Sequence, residues 1–323
     1  SPAFGRGLNK ENSGYLVQSL LVNAMHFGAP QHRPRVMLIG LRSDIANTLN
    51  IKAADFWRSD YDDPIKFSKK IRPVLAPKAT HFGEDILTVE NALWDLNDNG
   101  YSVPSGDKLY NRKLGKYAKL MRQDISWMPE KIRRINRKPD IKNHNLRNHS
   151  EHIITRFRLY QYLQSEGITP KILSFSTQLD GSESYKEQEI CKQIEECKIP
   201  AISPDGQILA SSLGELSALI IKLQTKKHSQ RPLKWDKPSP TIVSLPDDFV
   251  HPFIPRTMTV REMSRFQSFP DNFEFRAKET TGSLRRRVEV PQYTQVGNAV
   301  PPILAKAVGE NIFSILKSHY EKS

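Results

Sequence analysis

Cysteine is scarce in this chain of 323 residues, with only Cys191 and Cys197. Both sit in a Glu/Lys-rich segment, neither follows a proline, and their spacing fits no metal site. A disulfide framework is therefore excluded as the basis of the fold, and a reducing, cytoplasmic compartment is expected. No apolar run approaches the roughly 20 residues that span a bilayer. Ser1-Pro2-Ala3-Phe4-Gly5-Arg6 holds no apolar signal core either, so no membrane partner is expected. Acidic residues are also in deficit. Lys and Arg total 48 against 35 Asp and Glu, a formal charge of +13 that points to a polyanionic partner.

That excess is local. Residues 111–158 carry 14 Lys/Arg against 4 Asp/Glu. A solvated face of a generally basic protein would spread its charge more evenly, so the stretch reads as a nucleic-acid footprint. Trp127, Arg133, Arg134, Arg137 and Lys138 lie in it. They are followed by Asn143-His144-Asn145-Leu146-Arg147-Asn148-His149, a run rich in groups able to read base edges. Asn143, His144, Arg147 and His149 are the candidates there. His144, His149 and His152 also raise the idea of a metal site. No Cys or carboxylate spacing supports it, and no metal is assigned.

With 38% hydrophobic residues, the chain has enough apolar material for a sizeable core, and its length suggests two domains. Tyr15–Val22 and Arg35–Gly40 are apolar, β-branched runs of strand length, suited to a sheet covered on both faces. Leu87–Leu96 predicts a helix with Thr88 as N-cap, and Ile153–Leu163 an amphipathic helix that places Arg156 and Arg158 among core aromatics. A further strand is expected over Ile172–Ser176. Thr259-Val260-Arg261-Glu262 fits a capping box, with Met258 and Met263 placed for the hydrophobic staple. Pro301 and Pro302 open a last helix whose stripe is Ile303, Leu304, Val308, Ile312, Ile315 and Leu316.

Three dense motifs stand in a fixed order. They are Gly28-Ala29-Pro30-Gln31-His32-Arg33-Pro34-Arg35-Val36, then Arg256 to Phe273 with Thr257-Met258-Thr259-Val260-Arg261-Glu262 and Phe269-Pro270-Asp271, then Gln295-Val296-Gly297-Asn298-Ala299-Val300 before Pro301. The third reads as a Gly-Asn turn where backbone closely approaches a ligand. Together they resemble the last three signature motifs of DNA cytosine-5 methyltransferases. The match covers about residues 14–45 and 231–318.

That resemblance implies an α/β fold: the end of a Rossmann-like, S-adenosylmethionine-dependent methyltransferase sheet plus a smaller α+β target recognition domain. Residues 1–45 would end the catalytic domain, 46–255 form the recognition domain, and 256–323 carry the last two motifs and pack back on the catalytic domain. Gln31, Arg33 and Arg35 become catalytic candidates, with Arg35 on the cytosine carbonyl and Arg33 orienting the catalytic carboxylate or thiol loop. Gly297, Asn298, Ala299 and Val300 become the cofactor contacts. Thr259, Arg261, Glu262, Arg265 and Gln267 are expected to organise structure rather than perform chemistry.

The same family should also contribute a Phe-x-Gly-x-Gly loop, a Pro-Cys nucleophile and a Glu-Asn-Val acid, and the chain has none of them in a suitable setting. The resemblance then implies the specificity-bearing C-terminal half of the enzyme, acting on duplex DNA. An N-terminal half would supply the nucleophile and share the S-adenosylmethionine. A non-catalytic DNA-binding protein derived from such an enzyme is the alternative, and an RNA cytosine methyltransferase is a third reading.

Overall fold

The computed structural model describes residues 14–51, 59–60, 75–96, 115–122, 141–174, 183–245, 247–280, 285 and 288–322. Strand β1 (Tyr15–Asn23) and strand β2 (Pro34–Arg42) form an antiparallel hairpin, in register from Tyr15 opposite Arg42 to Asn23 opposite Pro34. Helix α1 (Ser43–Thr48) follows, and strand β3 (Ser59–Asp60) pairs parallel with β1. Next come α2 (Val89–Leu93), α3 (Lys116–Arg122), α4 (Glu151–Ser165) and α5 (Glu183–Ile194). A hairpin of β4 (Ala201–Ile202) and β5 (Ile208–Ala210) leads to α6 (Leu213–Lys222). Strands β6 (Arg231–Pro232) and β7 (Phe249–Val250) pair in parallel. The chain closes with α7 (Val260–Phe266), α8 (Gln292–Asn298) and α9 (Pro302–Tyr320).

Three cores hold these elements. On the first hairpin, alternation buries Leu16, Leu20, Val22, Ile39 and Leu41 on one face. The stripe of α9 (Ile303, Leu304, Val308, Ile312, Ile315) packs in the same cluster. Each side chain that is fully buried there, such as Leu20 or Leu304, contributes about 1.5–3 kcal/mol. The stripe also explains why residues 292–320, by length and composition alone, would be long and apolar enough to cross a membrane. The second core joins Val89, Leu93, Tyr117 and Met121 to Met258, Met263, Phe266, Tyr293 and Val296. The third gathers α4, α5 and α6 around Phe157, Tyr160, Leu163, Ile190, Leu216 and Ile220.

Several expectations need correction. The hairpin is covered on one face: Tyr15, Val17, Val36 and Leu38 on the other remain exposed. Pro170–Leu173 is a single 3-10 turn with Pro170 at its start, so the strand expected from Ile172 does not form there; residues 175–176 lie outside the described residues. Arg156 is buried, donating from Nε to Leu223 O at 2.8 Å, while Arg158 is half-buried and pairs with Glu151 and Asp205 instead of packing on core aromatics. The helix over 87–96 is α2 continued by a 3-10 turn at Trp94–Leu96, and Thr88 caps it with Asn91 returning the bond.

Candidate active site

The turn after β1 is set by polar side chains. Asn23 Oδ1 accepts from the N–H groups of Met25 (3.4 Å) and Arg33 (2.9 Å), which folds the chain back toward β2. Gly28 sits at φ 91°, and a Cβ there would lie 2.9 Å from His81 Cε1, so both conformation and space call for glycine. Gln31 then bridges to Ser239. His32 N–H donates to Ser239 O (2.8 Å), Ser239 N–H to Pro30 O (3.0 Å), and Thr241 Oγ1 to His32 O (2.8 Å).

Arg33 is fully buried at this junction. Nη2 donates to Gly297 O at 2.7 Å and Ala299 O at 2.9 Å, while Nη1 donates to Ile242 O at 3.3 Å and Gln31 Oε1 at 3.4 Å. Burial, and then the charge of Arg35, pull its pKa down to about 10, which still leaves it protonated near neutrality. Its partners among the described residues are carbonyls rather than carboxylates, so the contacts present give it a joining role. Strand alternation does not set Arg33 and Arg35 on one side of the backbone, because Arg33 lies just before β2 begins. Arg35 is half-buried and uses one donor internally, Nη1 to Pro34 O at 2.7 Å. Burial lowers its pKa as well.

Gly297 and Asn298 lie in the last turn of α8, not in a turn between strand and helix. The glycine is needed for contact: a Cβ would fall 2.8 Å from Ser244 Cα and N and from Val243 C, all backbone. Gln267 Nε2 donates to Val296 O (2.9 Å), and Ile303 N–H donates to Ser268 Oγ (3.2 Å), tying α8 and α9 to the end of α7. Asn298 and Val300 are exposed beside this seam, with Ala299 half-buried. Gly297→Ala is expected to push α8 from residues 243–244 and cost about 1–3 kcal/mol. A urea midpoint equal to that of the parent chain would refute it.

Helix α7 begins as expected. Thr259 accepts from Glu262 N–H and Glu262 reaches back to Thr259 N–H, while Arg256 clasps Glu262 at 2.6 and 2.8 Å. Burial alone would raise the Glu262 pKa, but the Arg256 charge and hydrogen bonds outweigh it and hold the carboxyl below the usual range. Arg261 donates to the carbonyls of Lys142 (2.9 Å), Pro270 (2.9 Å) and Phe273 (2.5 Å), and burial pulls its pKa down to about 10. Arg265 holds Asp271 and Asp95 together. Sequence reasoning missed Asp95, which has no motif of its own.

His251 gives this region a pH dependence. It is fully buried, and Nδ1 accepts from the N–H groups of Phe253 (3.2 Å) and Ile254 (3.1 Å), so that nitrogen carries no proton. Burial first, with Arg256 and His144 adding and Glu262 opposing, pushes its pKa from 6.5 down to about 3. Its stabilising effect is complete above pH 6.5, where both states are neutral. As pH falls toward 3 only the unfolded chain takes up the proton, and on the order of 4 kcal/mol is lost. His251→Gln should flatten the fall in urea midpoint between those limits. An unchanged slope would assign the fall to other groups.

The DNA candidates divide. Arg133, Arg134, Arg137 and Lys138, with Trp127, lie outside the described residues. Asn143 Nδ2 donates to Phe275 O (2.8 Å) and Gln292 Oε1 (3.1 Å), and its Oδ1 accepts from Phe275 N–H (2.9 Å). His144 contacts Thr259 Oγ1 (2.8 Å) and Leu96 O (3.2 Å). Arg147 pairs with Asp247 at 2.9 Å, and His149 Nε2 lies 3.4 Å from Thr257 N and packs edge-on against Phe157. Polar atoms of these four residues are thus engaged within the chain, with His144 at the N-cap of α7. Among the described residues no cluster of His, Cys, Asp and Glu could hold a metal ion.

Comparison with known proteins gives the family of the chain. Residues 8–314 match the C-5 cytosine-specific DNA methylase family. The chain is 27% identical over 305 residues to the type II methyltransferase M.DdeI of Desulfomicrobium norvegicum, covering 93% of this chain and 55% of that protein. It is 28% identical over 316 residues to the type II methyltransferase M.AgeI of Thalassovita gelatinovora, covering 94% of this chain and 67% of that one. A crystal structure of a putative DNA modification methyltransferase encoded within a prophage of E. coli aligns at 20% identity and TM-score 0.44, over 94% of this chain and 61% of that chain. The chain thus spans between about half and two thirds of the length of these relatives. It belongs to the C-5 cytosine-specific DNA methylase family.

Proposed function

We propose that this chain is the base-holding and DNA-reading part of a DNA cytosine-5 methyltransferase, and that the nucleophile, acid and cofactor loop come from a further segment or subunit. The observation that carries the reading is the Arg33 junction. It gathers Gln31, Ile242, Gly297 and Ala299 at one point and sets Arg35 beside it with donors to spare. Both cysteines lie elsewhere, Cys191 on α5 with Sγ 3.6 Å from Ser217 of α6, and Cys197 packed against the third core. Burial raises the Cys197 pKa, the opposite of what a nucleophile needs.

Carbon 5 of cytosine is a poor nucleophile until a thiolate adds to carbon 6. The base must be flipped from the duplex, and charge developing on it needs a fixed cation at the carbonyl oxygen. Arg35 would provide that cation, with Arg33 holding the strand that carries it. S-adenosylmethionine, when bound, supplies a methyl group on a sulfonium sulfur. The α8–α9 seam fits its polar end: Asn298 offers an exposed amide, Val300 an exposed apolar surface, and Gly297 lets the helix sit close. Residues 46–255 would contain the recognition domain, flanked by 1–45 and 256–323.

Duplex DNA carrying 5-fluorocytosine tests the division of labour, because the fluorine blocks the final elimination and leaves the thiol adduct in place. The adduct is expected on the complementing half when both are present, and none on this chain. An adduct mapped to Cys191 or Cys197 would contradict the reading.

A further inference from the structure

We infer that Lys226, Lys234 and Lys237, together with His32, grip the phosphate backbone of duplex DNA beside the Gln31–Arg35 turn. The inference rests on the reading above and extends it to a surface outside the three motifs. Residues 222–237 carry six Lys/Arg against one acid, and Lys222, Lys226, Lys227, His228, Arg231, Lys234 and Lys237 are all exposed. Asp247 is already paired with Arg147 and Lys227, while Asp248 accepts from Ser229 Oγ. Lys226 and Lys234 make no ion pair among the described residues, and Lys237 is only 3.8 Å from its neighbour Asp236 in an exposed pair. The face of α9 differs, since there Lys306 and Lys317 each stand one turn from a glutamate.

The basic segment is also fixed in place rather than loose. Arg231 N–H donates to Asp248 O and Leu233 N–H to Val250 O, each at 3.0 Å. Trp235 O and Lys237 O accept from Glu90 N–H and Val89 N–H, each at 2.9 Å, at the start of α2. Two residues beyond Lys237 the chain pairs with Gln31 through Ser239, so Lys234 and Lys237 run directly into the turn that holds exposed His32 and half-buried Arg35, and Lys226 stands farther back on the same basic segment. Exposed cations on a fixed backbone that lead to a base-holding arginine are suited to setting the register of a duplex, with the sequence read elsewhere.

The test is the salt dependence of duplex DNA binding by the full chain. The triple variant Lys226→Gln/Lys234→Gln/Lys237→Gln is expected to reduce the slope of log K against log salt by about 2–3, near 0.9 for each lost phosphate contact. Affinity at low salt should fall at least tenfold. Lys306→Gln/Lys317→Gln on α9 is expected to leave both unchanged. If the wild-type chain binds and the triple variant matches it, or if the α9 pair loses as much, the inference is overturned and the functional reading stands. Absence of duplex binding by the wild-type chain overturns both, as does tighter binding to structured RNA than to duplex DNA.

Discussion

Arg265→Ala is expected to destabilise the chain by roughly 3–5 kcal/mol, the cost of removing one partner from a buried ion pair. Arg265 Nε and Nη2 each reach Asp271 at 2.6 Å, and Nη1 and Nη2 reach Asp95 at 2.9 and 3.1 Å. A further bond goes to Ala92 O at 3.0 Å. Burial disfavours the charge, but Asp271 and Asp95 together keep the guanidinium protonated. All three side chains are almost fully shielded from water. Without the arginine, two carboxylates would face each other in the interior with Arg122 alone on Asp95. The urea midpoint reads the loss, and a shift below about 1 kcal/mol would show that the second core does not depend on this triad.

The second large effect falls on activity. In the complemented enzyme, Arg35→Ala is expected to lower methyl transfer by about 10²–10³, the usual cost of deleting one fixed donor from developing charge. Arg35→Lys should recover part of it, since a lysine keeps the charge but not the fork. Folding should be little affected, because Arg35 makes a single internal hydrogen bond, to the preceding carbonyl. Duplex binding should fall far less than turnover. Equal losses in both would make Arg35 a binding residue only.

What the sequence revealed was mainly what is local in it. Thr259 and Glu262 stand three residues apart, and the capping box they form needs nothing from elsewhere. Pro302 and the apolar stripe behind it give α9 in the same way. The partners of Arg265 were not legible as a set, because Asp95 comes from 170 residues away and carries no motif. The partners of Asn143 and His144 were not legible either, because Phe275, Gln292, Thr259 and Leu96 lie far from them in sequence. At Gly297, expected to approach a ligand, the close neighbour in the structure is the backbone of residues 243–244. The bare face of the hairpin was not expected either. Val36 and Leu38 read as buried residues because a run of apolar side chains does not say which neighbours will cover it.

Labelled methyl transfer from S-adenosylmethionine to duplex DNA tests the central claim most directly. The chain would be assayed alone, and again with the portion of a relative such as M.DdeI or M.AgeI that this chain does not span. The account predicts no transfer from either part alone and transfer from the mixture, lowered about 10²–10³-fold by Arg35→Ala. Transfer by this chain alone would contradict it, because one of its two cysteines would then have to be the nucleophile.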